Sequence, residues 1–384
     1  MGGSAGAEAS DALVRSVAIM SEYHWMLLRH LYNGTGAKLG EPGIKALGRG
    51  LWRYGFYRGQ SIRNDPRTIA SGRDAISLIE HWDGGELALA SARGDMEISG
   101  TASEVRVTLA FAPGADYFAR EGSTQALNLH WDNVLSGMAA GYDDAAKATQ
   151  QPVPDDNPIA PWSMTWTVPG SQAGRALPTF KETLARPAQY IRIARRTTGL
   201  IAGLQMYAAR ELIESFDASG EEVAREACYK FGAERGKALR DRHLAEGIPL
   251  NLQTMGKTLA ERDPLEAIFA IRGDSYVSPG LSHFDCTYCP LAEVWAEEGA
   301  EGLALGYLFD MELHRGLVET YYPGAVIKWD ALKTRGDSIC RFRFQIPELI
   351  TPDEQSRTQS LGVPTRRAGS VRVPTAFGST TQTP

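Results

Sequence analysis

The sequence has little that points to a membrane, a nucleic acid or an oxidising compartment. Its four cysteines, Cys228, Cys286, Cys289 and Cys340, are too few and too clustered for a disulfide framework in a chain of 384 residues, so reduced thiols are expected. No apolar run nears the roughly 18 residues that a membrane span needs. The small, acidic start from Gly2 to Asp11 lacks the basic and apolar regions of a signal peptide, and a cytoplasmic location is the default expectation. Lys and Arg number 40 against 46 Asp and Glu, a net charge of −6, which leaves no basic field for nucleic acid. P-loop, dinucleotide-binding glycine fingerprint and H-E-x-x-H zinc signature are all absent.

What is present is globular: 43% hydrophobic and 22% charged residues, in a chain long enough for two ordinary cores. A constant offset suggests how they arose. Gly55, Arg58, Gly59 and Arg63 recur as Gly232, Arg235, Gly236 and Arg240, each 177 residues on, and Pro113 recurs as Pro290. After one inserted residue, Asp132, Leu135 and Pro169 recur as Asp310, Leu313 and Pro347, now 178 on. Two homologous halves are expected, packed as a pseudo-dimer. Where the second half has His283, Cys286, Cys289, Glu312, His314, Asp337 and Cys340, the first has Arg106, Leu109, Ala112, Val134, Ser136, Ile159 and Trp162. Scaffold positions persist while reactive ones do not, so the first half reads as degenerate and the second as the carrier of a site. Simple drift of both halves is the alternative.

Periodicity gives an α+β chain in which each half is a helical part followed by an antiparallel sheet. Residues 1–11 and 351–384 are too poor in large apolar groups to pack and are expected to be disordered; the halves are 12–170 and 171–350. A helix from about Ala12 to Tyr32 should stop at Asn33-Gly34, and another should cover Pro42 to Arg63, with its counterpart over Glu221 to Leu244. Val105, Val107 and Leu109 alternate with polar residues as in a half-buried strand, and Cys286 shares that parity with Phe284 and Tyr288.

Cys289 ends that strand just before Pro290, a favoured first residue of a helix, which would place its thiol at a helix N-terminus and lower its pKa. Asp310 and His314 are four apart on one face of a long helix, alongside Leu303, Gly306, Leu313 and Leu317, while Glu312 and Arg315 point away. A carboxylate and an imidazole on an apolar stripe need partners. With Cys289 they form the candidate catalytic set; the competing reading is a buried Asp-His bond that only supports packing. Cys340 reads as a structural thiol. The C-x-x-C spacing of Cys286 and Cys289, with His283, His314 and Cys340 near, admits zinc, but a single pair with Cys286 aimed at the core disfavours it, and no cofactor is expected.

Cys289-Pro290-Leu291-Ala292-Glu293, the acidic Asp310 and Glu312, Tyr322-Pro323 and the stretch from Gly336-Asp337 through Cys340 to Phe344 resemble the L-2-amino-thiazoline-4-carboxylic acid hydrolase family. Phe309 and Leu291 depart from its pattern, which has a cysteine and an aromatic there. The resemblance implies ring-opening hydrolysis of a cyclic amidine-like C=N bond. Cys289 would add to the ring carbon or polarise water, His314 would shuttle the proton, and Asp310 would orient it or pair with the amidinium, with His283, Glu312, Asp337 and Arg235 as substrate-binding residues. The expected protein is therefore a small-molecule enzyme of specialised metabolism, with a homo-oligomer left open. Its rivals are a non-catalytic sensor-like binding protein and a cyclase or isomerase that uses Asp310 and His314 for acid–base work.

Overall fold

In the computed structural model, residues 3–121, 123–170, 176–177, 187–262 and 268–360 are described. Two long helices dominate: α1 (Gly3–Asn64) and α7 (Pro187–Ala245). Each breaks once, α1 at Gly40 (φ 61°, ψ −152°) and α7 at Asp217 (φ 48°, ψ −125°), positions 177 residues apart. The sequence led us to expect α1 to stop at Asn33-Gly34. It continues because Gly34 faces α7, where an added Cβ would lie 3.7 Å from Val223. Packing against a neighbouring helix outweighs the poor helix propensity of that pair. The chain breaks instead at Gly40, in a backbone conformation that glycine alone adopts easily, and Pro42 follows it near the start of the next helical run.

After α1 come α2 (Pro66–Ser71), α3 (Ala75–Glu80) and α4 (Gly85–Arg93), then β1 (Met96–Gly100) and β2 (Glu104–Leu109). The half is completed by α5 (Ala115–Glu121), α6 (Gln125–Tyr142), β3 (Lys147–Gln150) and β4 (Trp162–Thr167). After α7 the order is α8 (Leu252–Arg262), β5 (Ala270–Val277), β6 (Leu281–Tyr288), α9 (Pro290–Glu297), α10 (Gly299–Tyr321), β7 (Val326–Ala331) and β8 (Cys340–Gln345). Both sheets are four-stranded and antiparallel, ordered β1-β2-β4-β3 and β5-β6-β8-β7. The chain is thus α+β, with a helical part before each sheet.

Two segments expected to be disordered carry helix: α1 begins at Gly3, and α11 (Pro352–Ser360) lies beyond residue 351. Glu354 ties α11 down, accepting from Tyr276 Oη and from the Thr351 amide. Residues 361–384 lie outside the described residues.

Glycines fix how the helices meet. An added Cβ on Gly55 would lie 2.2 Å from Val134 O of α6, and one on Gly232 would lie 1.9 Å from Leu313 O of α10. Gly137 meets Trp52 O as Gly316 meets Tyr229 O. Strand registers match as well: Leu109 pairs with Trp162, and Cys286 pairs with Cys340. These contacts keep the 177 spacing between α1 and α7 but put α10 at 179 from α6, not the 178 expected from sequence. By contact, the counterpart of Asp310 is Trp131 and that of His314 is Leu135, so the recurrence of Asp132 as Asp310 is not a structural one. One hydrophobic cluster runs through both halves, from Leu27 and Trp131 to Trp295 and Phe344. Among the described residues, no helix is long and apolar enough to cross a membrane.

Candidate functional site

The corner between β6 and α9 is built as its sequence suggests. Cys289 is extended (φ −134°, ψ 111°) and caps α9, and Pro290 opens the helix. The Ala292 amide donates to the Cys289 thiol. Cys289 is 8% exposed, and its S–H donates to Cys286, whose own thiol donates to Tyr288 O at 3.0 Å.

The thiol is not the lowered one expected for a helix N-terminus. Its pKa is pushed well up, first by the hydrogen bond to Cys286, then by burial and by the nearby Asp310 carboxylate; the Ala292 amide only partly offsets these. A single amide cannot hold a thiolate against burial and a carboxylate.

Asp310 reaches the same place from α10. Burial pushes its carboxyl up to about 7, and the Thr334 hydroxyl, donating at 3.3 Å, opposes the rise. Thr334 comes from a short 3-10 turn, Lys333–Arg335, whose Lys333 amide donates to Cys340 Sγ at 3.4 Å. Cys340 is pushed up to about 12, chiefly by burial and then by Asp310. Cys289 and Cys340 therefore both lie in the field of one carboxyl that changes charge near neutral pH.

His314 stands one turn along and makes a different contact. Its Nδ1 lies 2.8 Å from the main-chain O of Asp310, not from the carboxylate, so Nδ1 carries the proton and Nε2 is left as acceptor. The ring packs 5.0 Å from Phe342 and meets Trp329 edge-on at 6.3 Å. Burial lowers its pKa to about 4, the Asp310 carbonyl opposes this, and Arg235 adds to it. The carboxylate thus does not orient the imidazole; the helix backbone does.

The other expected residues scatter. Arg235 lies near His314, its guanidinium 4.1 Å over the ring of Tyr23. His283 sits mid-strand, paired with Tyr276 and Arg343 and 4.0 Å from Asp285. Glu312, expected to face away from the core, is 9% exposed and pairs with Arg225 at 3.2 Å and Arg315 at 2.5 Å. Asp337 shapes the β7–β8 turn by accepting from the Leu332 amide at 2.7 Å. Cys286, Thr334 and Lys333 were not among the expected site residues. Only the cysteine had a signal, its C-x-x-C spacing. Among the described residues no group of three or more His, Cys, Asp or Glu side chains is arranged to hold a metal ion.

The first half is not chemically empty. Arg58 is fully buried between Asp83 (2.8 Å) and Glu86 (3.1 Å), and Arg196 of α7 reaches the same Asp83 at 2.9 Å. Nearby, the rings of His24 and His130 meet at 5.3 Å. Burial and then Arg58 lower His24 to about 3. Both ring nitrogens of His130 and the Tyr54 hydroxyl have no hydrogen-bond partner among the described residues.

The second sheet and the helices that follow it thus bring two thiols and a buried carboxyl together in an α+β chain. Residues 198–344 match the family model of L-2-amino-thiazoline-4-carboxylic acid hydrolase. No curated protein and no solved structure matches the chain.

Proposed function

We propose that the chain is a hydrolase that opens a C–N bond of a small ring, using Cys289 and Asp310 in its C-terminal half. The observation that carries this reading is Cys289 lying within the field of a carboxyl that titrates at about 7, inside the span that matches a hydrolase family. A carboxyl of that pKa can take and return a proton at neutral pH.

In this scheme Asp310 takes the Cys289 proton as sulfur adds to the C=N carbon, and the π pair passes to nitrogen, which is protonated. Collapse of the adduct breaks the ring C–N bond. Water then attacks the same carbon and expels the thiolate, which recovers a proton. Arg235 and the Trp329 Nε1–H, which has no hydrogen-bond partner among the described residues, flank His314 and suit a substrate carboxylate.

The test is turnover of L-2-amino-thiazoline-4-carboxylate by purified protein. Cys289→Ala is expected to lose about 100-fold or more in kcat, and Asp310→Asn a comparable amount; normal turnover by Cys289→Ala rules out the nucleophile. The raised pKa of Cys289 favours a second reading, an isomerase or cyclase in which Asp310 and His314 do acid–base work alone. Full activity in Cys289→Ser with loss in His314→Ala identifies that case. Tight ligand binding without turnover, with a thiol slow to label near pH 7, identifies a sensor. The matching contacts and registers of the two halves support descent from one duplicated unit, and the four free thiols suit a reducing, cytoplasmic setting.

A further inference from the structure

A cleft of about 280 Å³ opens in the N-terminal half between α1, α4 and the β2–α5 corner. Its corner residues, from Leu109 to Gly114, occupy the place that Cys286 to Leu291 take 177 residues on. Gly114 lets this corner open: at φ +90° it lies under Trp25, where an added Cβ would come within 2.7 Å of the indole, so the ring can form a wall of the cleft. Leu291, its counterpart, is 8% exposed and packs into the core.

The lining has a definite character. Trp25 and Phe111 give aromatic walls, while the ring of Tyr117 already lies under the guanidiniums of Arg29 and Arg120. Four carboxylates line the cleft against two guanidiniums, those of Arg93 and Arg120. Glu86 is committed to Arg58 and to Trp82 Nε1, and Glu22 to Arg120 at 3.3 Å. Asp95 and Asp116 are then in excess over Arg93. The hydroxyls of Ser21 and Tyr117 are buried and make no hydrogen bond among the described residues. Aromatic walls with surplus negative charge and idle hydroxyls favour a cation carried on an apolar body.

We propose that this cleft is a second ligand site, which takes a small organic ammonium with an aromatic or branched apolar part. It lies outside the family-matched span, so it stands or falls separately from the hydrolase reading.

The test is calorimetric titration of the full chain with three matched probes: 2-phenylethylammonium, phenylacetate and 2-phenylethanol. The ammonium is expected to bind saturably and at least about tenfold tighter than the other two, weakening with added salt. Ala90→Trp, which fills the cleft from α4, is expected to abolish binding. The double variant Asp95→Asn/Asp116→Asn is expected to weaken the ammonium about tenfold while leaving the alcohol unchanged. Cys289→Ala is expected to leave ammonium binding as it is in the parent chain. Absence of saturable ammonium binding, equal or tighter binding of phenylacetate, or indifference to the Asn substitutions overturns the proposal; those isosteric changes decide if Ala90→Trp does not fold.

Discussion

Asp310 and His314 occupy successive turns of α10, and burial drives their pKa values in opposite directions, to about 7 and about 4. The signs give a pH signature. Asp310 binds its proton more tightly folded than unfolded, so its contribution to stability is whole below about 4 and is lost as pH rises through about 7. His314 binds its proton less tightly folded, so its contribution is whole above about 6.5 and is lost as pH falls through about 4. Thermal melts from pH 4 to 8 should show Asp310→Asn flattening the alkaline decline, with a gain of a few kcal/mol at pH 8 at most. His24, lowered to about 3, adds to the acid-side loss, and His24→Phe should reduce it. The alkaline or acid limb near pH 7 in a rate profile should likewise disappear with Asp310→Asn if that carboxyl handles the proton in turnover.

At the scale of elements, close helix approach depends on missing side chains. Gly232→Ala would push a Cβ to 1.9 Å from the Leu313 carbonyl, backbone against backbone, with nothing flexible to yield. It should cost about 3 kcal/mol or more, as overpacking does at its upper end. Gly256 sits inside α8 with nothing within 4 Å of the added Cβ. Gly256→Ala should stabilise by about 0.5–1 kcal/mol, because alanine loses less backbone entropy. Urea titrations of the two variants measure both. The same approach carries α10 and its Asp310 towards the β6–α9 corner, so Gly232→Ala is also expected to reduce turnover.

For the whole molecule, the continuous core and the buried Arg58–Asp83–Arg196 bridge between α1, the α3–α4 connection and α7 mean that the halves should melt together. A single calorimetric transition is expected, with calorimetric and van't Hoff enthalpies equal. Arg58→Met leaves Asp83 and Glu86 facing each other without their shared cation, and should lower stability by about 3–5 kcal/mol; two resolved transitions would show instead that the halves fold apart.

The residues alone determined the alternation of helical and sheet parts, the antiparallel strands, the Cys289-Pro290 corner and the resemblance of the C-terminal segment to a hydrolase family, because these follow from local periodicity, turn chemistry and contiguous motifs. The helix through Gly34, the 179 register of α10, the pairing of Glu312 with Arg225, and the raised Cys289 thiol were decided by tertiary structure. Each depends on what a distant segment brings within a few ångströms, and burial changes a charge's free energy by more than the local signals that spacing records. The buried Arg58 and histidine centre of the first half was hidden for the same reason: Arg58, Asp83, Arg196, His24 and His130 are spread over 173 positions, and only the packing of α1, α6 and α7 makes them neighbours.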